Sequence, residues 1–142
     1  MIKLILASTN EHALAVENIL ERGLGNASLM NQPNIVWFLM YDGEEAVGTA
    51  YAYAISDVRL YVNIVFPGEH AHHNHRKQAG LDLLGYLQAN AGQSKYELTI
   101  PVKDNVKMKY FSQLGFKREG VAKQSIIING SIADQYHMGL IV

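Results

Sequence analysis

Two dipeptides, Asp42-Gly43 and Asn129-Gly130, do most to limit what this chain can fold into. Each stands between apolar runs and supplies residues that tolerate positive φ, so each predicts a tight hairpin turn. The first joins a continuous apolar strand, Ile35–Tyr41, to a second arm, Ala46–Ile55. The other joins Gln124–Ile128 to Ser131–Ile141. Antiparallel pairing is thus written into the middle and the end of the chain.

Around these hairpins the hydrophobic period changes several times. Met1–Ala7 reads as an opening strand, and Ser8 and Glu11 have the three-residue spacing of a capping box. Ala13, Val16 and Leu20 then recur at helical spacing, with Gly23 as the expected stop and a loop with a short helical turn reaching Asn34. Arg59–Phe66 is a further strand closed by Pro67-Gly68, followed by the polar stretch Glu69–Gln78. A helix is predicted over Ala79–Ala91, its buried stripe being Leu84, Leu87 and Ala91, with Gly92 behind it. Tyr96–Val102 reads as a strand, Asp104–Leu114 as a helix, and Gly115 as its end. The order β-α-loop-β-β-β-α-β-α-β-β predicts an α/β domain, a mixed sheet flanked by helices. With 142 residues and no repeat or linker, one domain is expected.

Composition removes several classes of function. The chain has no cysteine, which excludes a disulfide scaffold, a thiolate zinc site and a cysteine nucleophile. No apolar run reaches the roughly 18 residues of a membrane span, and no export signal opens the sequence, so a cytoplasmic location is expected. The net charge of −1 hides an asymmetry. Residues 1–57 carry two basic side chains against seven acidic ones, whereas residues 58–142 carry ten against six. A basic second part suits an anionic ligand. The pI near 6.6 argues against general nucleic-acid binding.

The segment Asp104–Gly120, DNVKMKYFSQLGFKREG, is the most specific in the chain. Together with Asp42-Gly43 before Val47-Gly48, and Asp134 to Met138 near the end, it resembles the GNAT superfamily of N-acetyltransferases. Phe111, Leu114, Gly115 and Phe116 stand at that family's aromatic, Leu, Gly and Phe positions. Without any family, Gly115 is a left-handed helix stop and Phe116 a return to the core. The resemblance implies a GNAT-like, mostly antiparallel central sheet flanked by helices. It also implies acetyl-CoA as co-substrate and a small-molecule or protein amine as acceptor.

In this family the acetyl-CoA pyrophosphate lies on backbone N–H groups where the central helix begins, in a Gln/Arg-x-x-Gly-x-Gly/Ala pattern. Here the stretch is His75-Arg76-Lys77-Gln78-Ala79-Gly80. Gly80 is kept, Gln78 replaces the first glycine, His75 replaces the leading residue, and Arg76 and Lys77 add positive charge. The resemblance further implies that N–H groups near Ile64 and Phe66 polarise the thioester carbonyl, in a gap where Arg59–Phe66 splays from Tyr96–Val102. Asp104 or Asn105 would meet the pantetheine amides, or simply cap the helix. The family's tyrosine acid aligns with Phe111. Tyr110 is next to it, about 100° away on a helix, and a slip of one residue would restore it. The candidate bases for the acceptor amine are Glu69, Asp57 and His137.

Two features stay open to more than one reading. His70, His72, His73 and His75 are a cluster of potential metal ligands, without the i, i+4 spacing of helical sites, and no metal residue is assigned. Tyr51, Tyr53 and Tyr61 form one face of the sheet, either buried or lining an acceptor groove. The first expectation is acyl-CoA-dependent transfer to a primary amine. The alternatives are a GNAT-fold binding or structural module without transfer, and an enzyme using a metal at the histidine loop. The acceptor and the oligomeric state stay open.

Overall fold

A computed structural model describes residues 1–24 and 28–142. It contains β1 (Ile2–Leu6), α1 (Asn10–Leu24), a 3-10 turn (Ser28–Asn31), β2 (Val36–Asp42), β3 (Glu45–Ala54), β4 (Arg59–Val65) and a second 3-10 turn (Gly68–His70). After these come α2 (Arg76–Asn90), β5 (Lys95–Pro101), α3 (Asn105–Gln113), β6 (Lys117–Ile128) and β7 (Ser131–Ile141). The strands form one seven-stranded sheet in the order β1-β2-β3-β4-β5-β7-β6. Every neighbouring pair is antiparallel except β4 and β5, which run parallel. The mixed, mostly antiparallel sheet expected from the sequence is therefore present.

Alternation along the strands gives the sheet two apolar faces. On one, Phe38, Met40, Ala50, Val62, Leu98, Ile100 and Met138 pack with Leu83, Leu84 and Leu87 of α2 and Phe111 of α3. On the other, Val16, Ile19 and Leu20 of α1 cover Leu39 and Val65. α1 covers this second face only in part, and the uncovered remainder holds a groove.

Several boundaries differ from the sequence reading, each for a local reason. The N-terminal cap is shifted by one residue: Thr9 Oγ1 accepts from the His12 N–H at 3.0 Å, and His12 Nδ1 accepts from Ser8 N–H at 3.0 Å. The pair Ser8 and Glu11 is not used. Gly23 does not stop α1 but lies in its last turn, where a Cβ would stand 2.6 Å from Val65 Cγ1. α2 begins three residues early, at Arg76. Its buried stripe is Ala79, Gly80, Leu83, Leu84 and Leu87, and Ala91 is already the extended cap residue. In the first hairpin Asp42 belongs to the strand and pairs with Glu45, and Gly43 (φ 64°) is the first linking residue. The second hairpin turns through Asn129 (φ 50°) and Gly130 (φ 80°), as expected.

β6 begins at Lys117 rather than Gln124. Its register shifts between Ala122 and Ile126, where Gln124 takes φ 49° and donates its N–H to Asp134 Oδ1 at 2.8 Å. The charged stretch before this bulge is an exposed edge strand, and charges there discourage pairing with other chains. Lacking an apolar face, it carries no strand pattern in the sequence.

Candidate functional site

The single parallel pair creates the site. β4 and β5 pair only over Arg59↔Lys95, Leu60↔Tyr96 and Tyr61↔Glu97. Beyond Tyr61, β4 stays bonded to β3, as far as Thr49↔Val65, while β5 follows β7. The closed end of this wedge is pinned by Arg59 and Glu97: Nη2 donates to Oε1 at 3.0 Å and Nε donates to Oε2. The hydrogen bond from Arg59 is the main reason the Glu97 carboxyl is held below its usual 4.5, against a lesser opposing effect of burial. Because the folded value is depressed, the pair's stabilisation is complete above about pH 4.5 and is lost as pH falls through the lower, folded value. Urea midpoints of wild type and Glu97→Gln should therefore differ by a constant above that pH and converge below it. A pH-independent difference would contradict this assignment.

The open end of the wedge is a cleft of about 350 Å³ whose walls include Ile64, Val65, Phe66, Arg76, Lys107 and Tyr110. Backbone phase directs β4 donors into it. Ile55 N–H bonds Arg59 O, and the antiparallel alternation that follows turns the Ile64 N–H away from β3 and toward the gap. That N–H is held by Asn63 Oδ1 at 2.9 Å, and Asn63 Nδ2 donates to Tyr51 Oη at 3.1 Å. At the other wall, Tyr110 Oη donates to the Arg76 carbonyl at 2.8 Å. The Arg76 guanidinium lies 5.3 Å from the Tyr110 ring centroid and donates to Ala71 O at 2.5 Å. Burial pushes the Tyr110 hydroxyl well above the usual 10, with Arg76 acting weakly in the opposite direction.

Tyr110, not Phe111, faces the cleft. Phe111 is fully buried against Phe116 at a ring separation of 5.3 Å. The one-residue slip that puts Tyr110 rather than Phe111 on the cleft wall is present, because Phe111 fills the core-facing position of α3. Among the predicted cofactor residues, Ile64, Phe66, Arg76 and Asp104 line the cleft. His75, Lys77, Gln78 and Asn105 are exposed beside it, and Ala79 and Gly80 are buried beneath. Gln78 Nε2 bonds Asp82 Oδ1 at 2.8 Å along the helix surface, so this side chain does not narrow the cleft. A Cβ on Gly80 would come within 2.4 Å of Tyr110 Oη, so this glycine permits the close contact of α2 with α3. His75 provides no side-chain cap, and the first i→i−4 bond of α2 is Ala79 N–H to His75 O at 3.1 Å. Asp104 caps α3, accepting from Lys107 N–H at 3.1 Å.

A second groove, of about 740 Å³, lies on the uncovered sheet face and includes Tyr51, Tyr61, Asn63, Thr99, Gln135 and Ile127. Tyr51 and Tyr61 stack at 6.2 Å and Tyr53 and Tyr61 at 4.9 Å. Tyr51 is both buried and on the groove wall, Tyr61 is on that wall, and Tyr53 is outside it. Cleft and groove share Gly23, Asp104 and Lys107. Lys107 was only one basic residue among many in the sequence. Its ammonium is pushed down to about 8, chiefly by burial, with Asp104 acting the other way. Nothing in the sequence distinguishes it from Lys103 or Lys109, and Asn63 carries no motif either.

The three candidate bases are not brought to this junction. Glu69 pairs with Arg22, whose side chain is on the cleft wall. Asp57 is exposed in the β3–β4 turn, at the pinned end of the wedge. His137 pairs with Thr99 across β5–β7 and stays exposed, outside both cavities. Three of the clustered histidines stay neighbours, with ring centroids 6.5 Å apart for His70 and His73 and 5.7 Å for His73 and His75. His73 Nε2 lies 2.9 Å from Asp42 Oδ2, and His70 Nε2 lies 3.7 Å from Glu45 Oε2. Among the described residues no three His, Asp or Glu side chains are grouped to hold a metal.

No protein-family model matches this sequence, and no curated protein matches it. Solved structures do match its fold. A spermidine N-acetyltransferase from Vibrio cholerae, in complex with CoA and spermine, superposes with a TM-score of 0.82 at 15% identity, covering 99% of this chain and 95% of that one. A GNAT-family acetyltransferase from Streptococcus pneumoniae gives 0.81 at 14% identity, with both chains fully covered. The ribosomal-protein-S18-alanine N-acetyltransferase from Escherichia coli gives 0.79 at 15%, covering 99% and 94%. The fold of this chain is the one these acetyltransferases share.

Proposed function

We propose that this GNAT-fold chain is an acetyl-CoA-dependent N-acetyltransferase acting on a primary amine. The observation that carries the reading is the wedge between β4 and β5, with a tyrosine hydroxyl on one wall and strand N–H groups facing the other. In this reading the pantetheine arm lies in the wedge and the pyrophosphate meets Arg76 and the start of α2, where free N–H groups and the helix dipole favour anions. The N–H groups of Ile64 and Phe66 polarise the thioester carbonyl, with the Asn63 amide turning aside to release the first. Tyr110 protonates the departing thiolate, and burial keeps it protonated at neutral pH. The acceptor enters from the tyrosine-lined groove, so its amine and the thioester meet where cleft and groove join.

The fold matches support this reading because one of those structures holds CoA. Their low identity leaves the acceptor to be found. Calorimetry with acetyl-CoA is the direct test. Binding should weaken about tenfold in Arg76→Ala, the magnitude of one charge-assisted hydrogen bond. Lys77→Ala should have little effect, because Lys77 is exposed outside the cleft wall. No binding at millimolar acetyl-CoA would remove the enzyme reading and leave a binding or structural module.

A further inference from the structure

The residue at the junction is itself an amine. Lys107 is the only lysine among the residues lining the cleft, and it also lines the acceptor groove. Its backbone N–H is fixed to Asp104 at the cap of α3, which anchors the side chain on a rigid element. Among the described residues its Nζ forms no ion pair within 4.0 Å. Lys95 and Lys123, by contrast, are paired with Glu119 and Asp134.

We propose that Lys107 is a self-acetylation site, its Nζ taking the acetyl group from acetyl-CoA bound in the cleft. This rests on the cofactor placement described above. Neutral Nζ attacks the thioester carbonyl carbon, the C–N bond forms and the C–S bond breaks. The proton lost by nitrogen ends on the CoA sulfur. The other charged or titratable residues lining the cleft and groove are Arg22 from α1, Tyr51 from β3, Tyr61 from β4, Arg76 from α2, Tyr110 from α3, its cap residue Asp104, and Lys103 from the loop before it. Burial disfavours the charged ammonium and outweighs the opposing Asp104 carboxylate, so neutral amine is present near pH 8. The product is an uncharged amide at the junction, which lowers the positive charge of the acceptor groove by one.

The test is incubation of the intact protein with acetyl-CoA, followed by peptide mass spectrometry. Lys107 should be labelled more than about tenfold faster than Lys103 or Lys109, the advantage expected of a held reactant. Its rate should saturate with acetyl-CoA, be independent of protein concentration, and rise with pH through about 8. Lys107→Arg should abolish that label without abolishing acetyl-CoA binding by calorimetry. Equal labelling of all three lysines would overturn the proposal. So would binding without label at Lys107, an outcome that leaves the transferase reading intact. No acetyl-CoA binding to the wild-type protein removes both. A large loss of affinity in both Lys107→Arg and Lys107→Gln would assign this residue to cofactor binding instead.

Discussion

Tyr110→Phe should lower the turnover number by roughly 10²–10⁴, the usual contribution of a positioned general acid. Acetyl-CoA affinity should change little, because the ring and its contacts with Arg76 and Phe66 are retained. The variant also loses the hydrogen bond to the Arg76 carbonyl, at a cost of about 1 kcal/mol in stability. The loss should therefore fall on kcat rather than on KM. An acceptor-independent assay for free CoA thiol reads both parameters once any accepted amine is found. Unchanged turnover in the folded variant would assign thiolate protonation to solvent and leave Tyr110 a strut between α2 and α3.

The neighbouring substitution should behave in the opposite way. Phe111→Ala should cost about 3–5 kcal/mol, combining lost transfer energy with a cavity between Tyr110 and Phe116. Phe111 is fully buried, whereas the cleft wall is formed by Tyr110. Urea unfolding should show the loss directly. Acetyl-CoA binding, measured where the variant is still folded, should remain close to wild type. Two adjacent residues thus separate stability from chemistry, and a large binding defect in Phe111→Ala would mean that the two are coupled through α3.

These residues also show which parts of the molecule can be read from sequence. The hairpins were legible because Gly43, Asn129 and Gly130 satisfy backbone demands that few residues meet. The end of α3 was legible for the same reason, with Gly115 at φ 104°. The start of α2 was not, because its cap residue, His75, forms no side-chain cap bond. The first half of β6 was hidden because an exposed edge strand has no buried period to display. Site residues divide along the same line. Ile64, Phe66 and Asp104 were expected from the family resemblance and Arg76 from its charge, and all four line the cleft, whereas His75, Lys77, Gln78, Ala79, Gly80 and Asn105, named on the same grounds, do not. Glu69, Asp57 and His137 were chosen for chemistry alone, and chain geometry takes them elsewhere. Lys107 and Asn63 matter only through where the fold puts them, which single-sequence periodicity does not encode.

The β4–β5 junction has a mechanical consequence. Antiparallel neighbours joined by a tight turn, such as β2–β3 and β6–β7, are tied at that end by the turn itself. A parallel pair has no such tie. The chain leaves Val65 for α2 and leaves Pro101 for α3, and no short connection links these two ends. The two strands are therefore jaws on a fulcrum at Arg59–Glu97, and their gape is set by what lies between them and by the helices seated above. In the proposed reading, the slender pantetheine arm would enter there without unfolding any turn.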